Sequence, residues 1–503
     1  MERKHVGIVG AGVSGLATAK VFLSRGHTVT LFEQVGELGG VWAPSRHYPG
    51  VRLQSTRDTY SFSDFPMPDH YPEFPTGQQV YEYLAAYAQH FGVLERIRFR
   101  TEVAGIVPRP DRKPGWRIHV RNLAEGSESS FDFDFVVVCN GIFSVPQIPE
   151  ISGRAEFEAA GGMVLHSSQL RDTRQLAGRD VVVVGFGKSA LDIAEAALAD
   201  ARSSTLVFRR SVWKVPHRIW GRIHINHFIL SRFTEIWYPH PEMGRLKRFL
   251  HTSLHPLVDL FWWFSERIIG GQLGLLDPPL RPDIPLRRAA VCVTLALDDL
   301  KAVREGRIGL QRGSITRFTA SGLQLDDGNK LDAQAVILAT GFRQECPFLG
   351  KNETARLFDA DGTILLYRFL INPDIPSMGF NGYNGFGTCQ LAAEVGANWL
   401  AQFVEGRVAL PSREAMLANI RAESELRTRL LSTRLSPGYY ATPLTLGYLD
   451  QLLRDLGLPP ADRHRGLFGW LFDPIAPSDY RHLLPEPVRP AAPPPDAVRT
   501  ASN

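Results

Sequence analysis

The stretch Val6-Gly7-Ile8-Val9-Gly10-Ala11-Gly12-Val13-Ser14-Gly15, answered by Glu33, restricts this chain more than any other feature. A short apolar run leads into Gly-x-Gly-x-x-Gly, a helical pattern follows from Leu16 to Ser24, and a second strand pattern from His27 to Phe32 ends on an acid. Each glycine has a task. Gly10 permits a tight turn, Gly12 lets backbone approach a pyrophosphate, and Gly15 lets the helix pack against the strand. The helix start then offers unpaired N–H groups and the positive end of its dipole. Glu33 stands 18 residues past Gly15, where a carboxylate accepts hydrogen bonds from an adenosine ribose. Strand, turn, helix and acid in this order point to a dinucleotide site.

The pattern returns once. Val181 to Val184 lead into Gly185-Phe186-Gly187-Lys188-Ser189-Ala190, a helical pattern runs to Ala199, and a second strand covers Thr205–Phe208. This strand ends on Arg209-Arg210 instead of an acid. An acid suits a free 2′-hydroxyl and arginines suit a 2′-phosphate, so the two turns point to different dinucleotides; a solvated strand end is the plainer reading of the arginines.

With 503 residues the chain is too long for one ordinary core, and two or three domains are expected. A net charge of +4 with no run of five like charges argues against a nucleic-acid partner. Cys139, Cys292, Cys346 and Cys389 form no Cys-x-x-Cys, which argues against a redox dithiol, a zinc site and a disulfide framework. The first strand begins too early to leave room for a cleavable signal, so a cytoplasmic location is expected. No apolar run approaches the ~18 residues needed to span a bilayer.

Between the turns, Gly39-Gly40-Val41-Trp42 and the loop from Arg46 to Ser55 have glycines to pass close to a flat ligand, with aromatic and basic groups to hold it. The spacing predicts a structural helix over Thr76–Gly92, an antiparallel insertion at Ile97–Val107 and Trp116–Asn122, and a return to the main sheet over Phe131–Cys139. Residues 212–288 break the rhythm and read as a helical insertion rich in aromatics. These could line a substrate passage, rest on a membrane surface as a peripheral contact, or form the insertion's own core. Ala335 to Phe342 reads as a buried strand that ends in a small-residue turn. Glycines over Gly379–Thr388 precede a helix at Gln390–Val404, and helical patterns at Ser412–Leu435 and Leu446–Leu456 look structural.

Taken together, the Gly10/Gly12/Gly15 turn with Glu33, Gly39-Gly40-x-Trp42, Gly185/Gly187 with Ser189-Ala190, and Ala339-Thr340-Gly341-Phe342 resemble the class B flavoprotein monooxygenases, the flavin-containing monooxygenase family. The passage Leu53-Gln54-Ser55 followed by Phe62–Pro68 is similar to bacterial and plant-type members. The family fingerprint is partial: Gly162 and His166 match, whereas Ala160 and Leu170 replace aromatic residues.

The resemblance implies an α/β fold of two Rossmann-like dinucleotide-binding domains, the second inserted in the first. The expected division is FAD-binding at 1–169, NADPH-binding at 170–330 with the insertion, FAD-binding again with C-terminal helices at 331–484, and a disordered Pro-rich tail at 485–503. Gly10, Gly12, Gly15, Glu33, Gly40, Trp42, Arg46, Gly185, Gly187, Ser189, Arg209, Arg210, Thr340 and Gly341 are the expected cofactor-binding residues, and no metal is expected. The implied chemistry is transfer of one oxygen atom from O2 to a small organic substrate through a flavin C4a-hydroperoxide. Gln54 stands where Baeyer–Villiger relatives usually carry Asp and animal flavin monooxygenases carry Asn. A neutral amide at the reacting edge favours N- or S-oxygenation over ester formation. Baeyer–Villiger oxidation, an uncoupled NADPH oxidase and a non-catalytic redox sensor stay open as alternatives, as do a loop-amide role for Gln54, a structural role for His166 and assembly as a homodimer.

Overall fold

A computed structural model describes residues 2–240, 242–289, 294–296, 300–360, 362–384, 388–430, 445–461 and 466–483. Two five-stranded parallel sheets organise it. In the first, the strands lie in the order Met378–Phe380, Phe135–Val138, His5–Val9, Thr28–Phe32 and Ile97–Arg98. In the second, the order is Gly309–Arg312, Ser203–Phe208, Asp180–Val184, Ala335–Leu338 and Met163–His166. The central strands are buried along most of their length, with Val6, Ile8, Val136, Val137, Val183 and Val336 fully enclosed. Parallel sheets covered on both faces need such continuous apolar strands.

The expected boundaries at 169/170 and 330/331 cut through the second sheet. Met163–His166 precedes that span and Ala335–Leu338 follows it, yet they pair with each other, and Val336 and Leu338 also face Val182 and Val184. The first sheet recovers the chain only at Met378–Phe380, which pairs with Phe135–Val138. Composition cannot separate these strands, because any short apolar run could join either sheet. Pairing decides.

A second correction concerns Phe131–Cys139. Glu128–Phe133 belongs to a three-stranded antiparallel sheet with Thr101–Pro108 and Trp116–Asn122, and only Phe135–Val138 returns to the main sheet. The predicted helix after Thr76 is present as Gly77–His90. Its start is fixed by a capping box in which Thr76 and Gln79 satisfy each other's backbone N–H groups.

The insertion is not purely helical. It opens with short strands at Lys214–Pro216, Arg218–Ile219 and Ile223–His224, and the helices Asn226–Ile229, Arg232–Ile236, Arg245–Thr252 and His255–Leu273 follow. Much of its aromatic content forms its own core: Trp213 is buried and donates to the Ile284 carbonyl at 2.7 Å, while Trp237 stacks on Phe261 at 4.1 Å. One face is left open. Leu257, Leu260, Trp263 and Phe264, at helical spacing, are each close to half exposed. Among the described residues no helix is long and apolar enough to cross a membrane. Cys292, residues 385–387, residues 431–435 and the expected tail at 485–503 lie outside the described residues.

Candidate cofactor site

The first turn is built from backbone. Gly10 has φ +101° and its N–H donates to the Phe32 carbonyl at 2.8 Å, closing the turn against the second strand. A Cβ at Gly10 would lie 2.7 Å from the Cys139 carbonyl oxygen, and one at Gly15 only 1.9 Å from the Gly10 carbonyl oxygen. Gly12 differs: the nearest atom to its Cβ position is Gly40 Cα at 3.5 Å, an ordinary contact. The protein itself would accept a side chain there. What glycine preserves at Gly12 is open space beside the start of the Val13–Ser24 helix, whose cap makes no side-chain hydrogen bond. Those N–H groups suit an anion.

Glu33 closes one end of this space. Its carboxylate is buried and accepts from the Ala11 N–H at 2.8 Å and the Val35 N–H at 3.1 Å. Burial raises its pKa, while these amides and the nearby Arg46 pull the other way. Two bonds leave acceptor capacity for the hydroxyls of a sugar. Over the turn, Gly39 donates to the Ala11 carbonyl at 2.9 Å, and Gly40 packs on Gly12. Trp42 donates through Nε1 to the Tyr60 hydroxyl at 3.0 Å, and the Cys389 thiol approaches the same oxygen at 3.0 Å. That chain of contacts leads to the start of the Cys389–Val404 helix, where Thr388 Oγ1 and Gln390 Nε2 are buried with no hydrogen-bond partner among the described residues. Asn381 ties this helix to the first one by donating to Thr18 Oγ1 and the Ala393 carbonyl, both at 2.9 Å.

The second turn repeats the first. Gly185 has φ +135°, its N–H donates to the Val207 carbonyl at 2.8 Å, and its Cβ position lies 2.6 Å from the Ala339 carbonyl oxygen. Ala339-Thr340-Gly341 thus stands to Gly185 as Cys139-Asn140-Gly141 stands to Gly10. Thr340 and Gly341 therefore flank the second turn and not the first: the Thr340 hydroxyl donates to the Gln147 carbonyl, and the Gly341 carbonyl meets His166 Nε2 at 3.1 Å. His166 is buried, bonded at both ring nitrogens, and its pKa is lowered by burial. No described residue other than its chain neighbours comes within 4 Å of the Cβ position of Gly187. Arg209 and Arg210 are exposed and make no hydrogen bond or ion pair with another described residue.

The loop after Trp42 spans the two folds. Arg46 donates to the Phe143 carbonyl at 2.8 Å, and the His47 carbonyl accepts from Arg171 at 3.0 Å. The Tyr48 hydroxyl reaches across to Asp192 at 3.1 Å, beside Ser189, and Asp192 is also ion-paired with Lys188. Gln54 is exposed between buried Leu53 and buried Ser55.

The profile of the flavin-binding monooxygenase-like family matches residues 3–461. This chain belongs to that family. It is a flavin-dependent monooxygenase, with FAD and NADPH as its cofactors. A flavin-containing monooxygenase 1 described as probable, from Arabidopsis thaliana, is 30% identical over 96% of this chain and 97% of its own length. The rabbit (Oryctolagus cuniculus) dimethylaniline monooxygenase [N-oxide-forming] 2 is 27% identical over 91% of this chain and 83% of its own. Among solved structures, an oxidized steroid monooxygenase bound to NADP shares the fold, with TM-score 0.67 and 21% identity over 91% of this chain and 99% of the other.

For a flavin-binding monooxygenase the first site fits its cofactor on two observations: a side chain at Gly12 is excluded by no described residue, and Thr388 and Gln390 bury polar atoms that lack partners among the described residues. Buried polar groups are seldom left so unless a ligand or water satisfies them. Thr388, Gln390, Tyr60 and Asn381 were not among the residues expected from sequence. For Asn381, Thr388 and Gln390 the trace in the sequence was the glycine-rich passage at the start of the Cys389–Val404 helix; Tyr60 had none.

Proposed function

We propose that this monooxygenase transfers oxygen to a nitrogen or sulfur atom of a small organic substrate, in preference to attacking a ketone. FAD, reduced by NADPH, supplies the activated oxygen. The chain's own residues hold and orient. The Gly12 backbone and the helix start at Val13 take the FAD pyrophosphate, Glu33 takes the ribose, and Thr388 and Gln390 satisfy the flavin end. Arg46 and Trp42 fix the loop that lies over the first turn. Gly187 and Ser189 face the NADPH pyrophosphate, with Arg209 and Arg210 at its 2′-phosphate.

The observation that carries the choice of substrate is Gln54, an exposed neutral amide on the loop that spans both folds. An amide donates and accepts hydrogen bonds but neither supplies nor removes a proton at neutral pH. It can hold a protonated, electrophilic oxygen donor without ionising it, and soft amines and sulfides are the partners of such a donor. The N-oxide-forming rabbit relative supports the same reading.

Gln54→Leu keeps comparable bulk and removes both hydrogen-bonding functions. We expect unchanged FAD content and flavin reduction, with hydrogen peroxide rising at the expense of oxygenated amine or sulfide by about tenfold, the scale of one lost hydrogen bond. Assay of NADPH consumed, peroxide and product against a panel of amines, sulfides and ketones tests both parts. Product from ketones alone overturns the substrate class, and an unchanged peroxide-to-product ratio reduces Gln54 to a loop residue.

The open face of the insertion is proposed to rest on an anionic lipid surface. Leu246, Phe249, Leu257 and Trp263 are exposed beside exposed Arg245 and Arg248, and residues 244–254 contain no acid. Apolar residues flanked by cations suit the interface of such a bilayer. Cosedimentation with vesicles containing phosphatidylserine should exceed that with neutral vesicles, and Trp263→Glu with Phe249→Glu should abolish it. Equal partition with both vesicle types, or none, refutes the proposal.

A further inference from the structure

Lys214 is fully buried, although an ammonium group is costly to remove from water. It opens the insertion, six residues past Phe208, and lies against the second glycine turn. Its Nζ donates to the Phe186 carbonyl oxygen at 2.5 Å and to the Val212 carbonyl at 3.5 Å. The same ammonium sits 4.3 Å from the centroid of the Phe186 ring, and that ring stacks on Phe208 at 4.2 Å. Lys214 therefore grips the central residue of Gly185-Phe186-Gly187 by both its carbonyl and its side chain. Through Phe208 it also reaches the strand end that carries Arg209 and Arg210.

The peptide bond turns this grip into a direction. In a planar trans peptide the carbonyl oxygen of one residue and the N–H of the next point to opposite sides. With the Phe186 carbonyl held inward on Lys214, the Gly187 N–H must point outward. It makes no hydrogen bond to another described residue, and no described residue other than its two chain neighbours comes within 4 Å of the Gly187 Cβ position. Gly187 caps the Lys188–Ala197 helix without any side-chain cap, so this N–H faces open space at the positive end of the helix.

We propose that Lys214 is the positioning residue of the nicotinamide-nucleotide site: by holding the Phe186 carbonyl, it aims the Gly187 N–H at the dinucleotide pyrophosphate. This rests on the reading of the second turn as the NADPH site. Lys214 does not touch the nucleotide. Its role is shared by every ligand with a pyrophosphate there, whereas Arg209 and Arg210 act only on a 2′-phosphate.

The test is calorimetric titration of the FAD-loaded enzyme with NADP+ and, separately, with NAD+. In Lys214→Met both dissociation constants should rise by about tenfold or more, by similar factors, with FAD content kept. Lys214→Gln, which retains a donor on a slightly shorter arm, should recover part of the loss for both nucleotides. Unchanged affinities in Lys214→Met, or a loss confined to NADP+, overturn the proposal. Failure of the unsubstituted enzyme to bind either nucleotide overturns the reading of the site instead. Should the Met variant not fold, hydrogen exchange at the Gly187 amide of the unsubstituted enzyme decides. It should be fast in the free protein and slowed by NADP+; protection before NADP+ is added, or no change on binding, refutes the assigned direction.

Discussion

Gly12→Val is expected to purify folded and colourless. The nearest atom to a Cβ at Gly12 is Gly40 Cα at 3.5 Å, so the backbone tolerates a side chain in the absence of cofactor. The branched methyl groups would instead fill the space beside the Val13–Ser24 helix start, where the pyrophosphate must lie against backbone. Overpacking of that kind costs about 3 kcal/mol, roughly a hundredfold in FAD affinity. Gly15→Ala should fail differently. Its Cβ would sit 1.9 Å from the Gly10 carbonyl oxygen, a contact that only backbone movement can relieve, so the fold itself weakens. Flavin absorbance per protein, read alongside circular dichroism and the unfolding temperature, separates the two. Full yellow occupancy in Gly12→Val would show that the cofactor does not cross this turn.

Replacing Arg209 and Arg210 with Ala should convert an NADPH enzyme into one that barely distinguishes the two nicotinamide nucleotides. Both side chains are exposed at the end of Ser203–Phe208 and have no partner among the described residues, so their removal disturbs no packing. Hydrogen bonds to a charged group contribute about 1.5–3 kcal/mol each. Solvent screening at an exposed site reduces the expected loss for the pair to about 2–3 kcal/mol, roughly 30- to 150-fold for NADPH. The constant for NADH should change little, because it lacks the 2′-phosphate. Stopped-flow reduction of the flavin over a range of each nucleotide gives the two constants directly. Equal losses for both would leave the pair as surface charge.

These two predictions draw on different levels of information. The roles of Gly10, Gly15 and Gly185 were legible in the chain because a tight turn is a local event. The strand, the turn and the helix it feeds lie within about ten residues, and the positive φ of Gly10 and Gly185 is what such a turn demands. The contrast of Glu33 with Arg209-Arg210 was legible for the same reason, each standing at the end of the strand after its turn. That the described protein leaves room for a side chain at Gly12 required the position of Gly40, which no spacing rule supplies.

Sheet membership was not legible. Ala335–Leu338 and Phe135–Val138 are equally apolar, yet one pairs with Asp180–Val184 and the other with His5–Val9. The orphaned atoms of Thr388 and Gln390, the grip of Lys214 on Phe186 and the open face at Trp263 are also products of assembly. Trp213 and Trp263 show the limit plainly: one is buried and bonded to Ile284, while the other is half exposed on a helix face. By itself the sequence determined two glycine turns followed by strand ends of opposite charge, because turn geometry and strand-end charge are set by neighbours along the chain. Only the tertiary structure decided which strand joins which sheet and which polar atoms are left for a ligand, because those depend on contacts between residues more than a hundred positions apart.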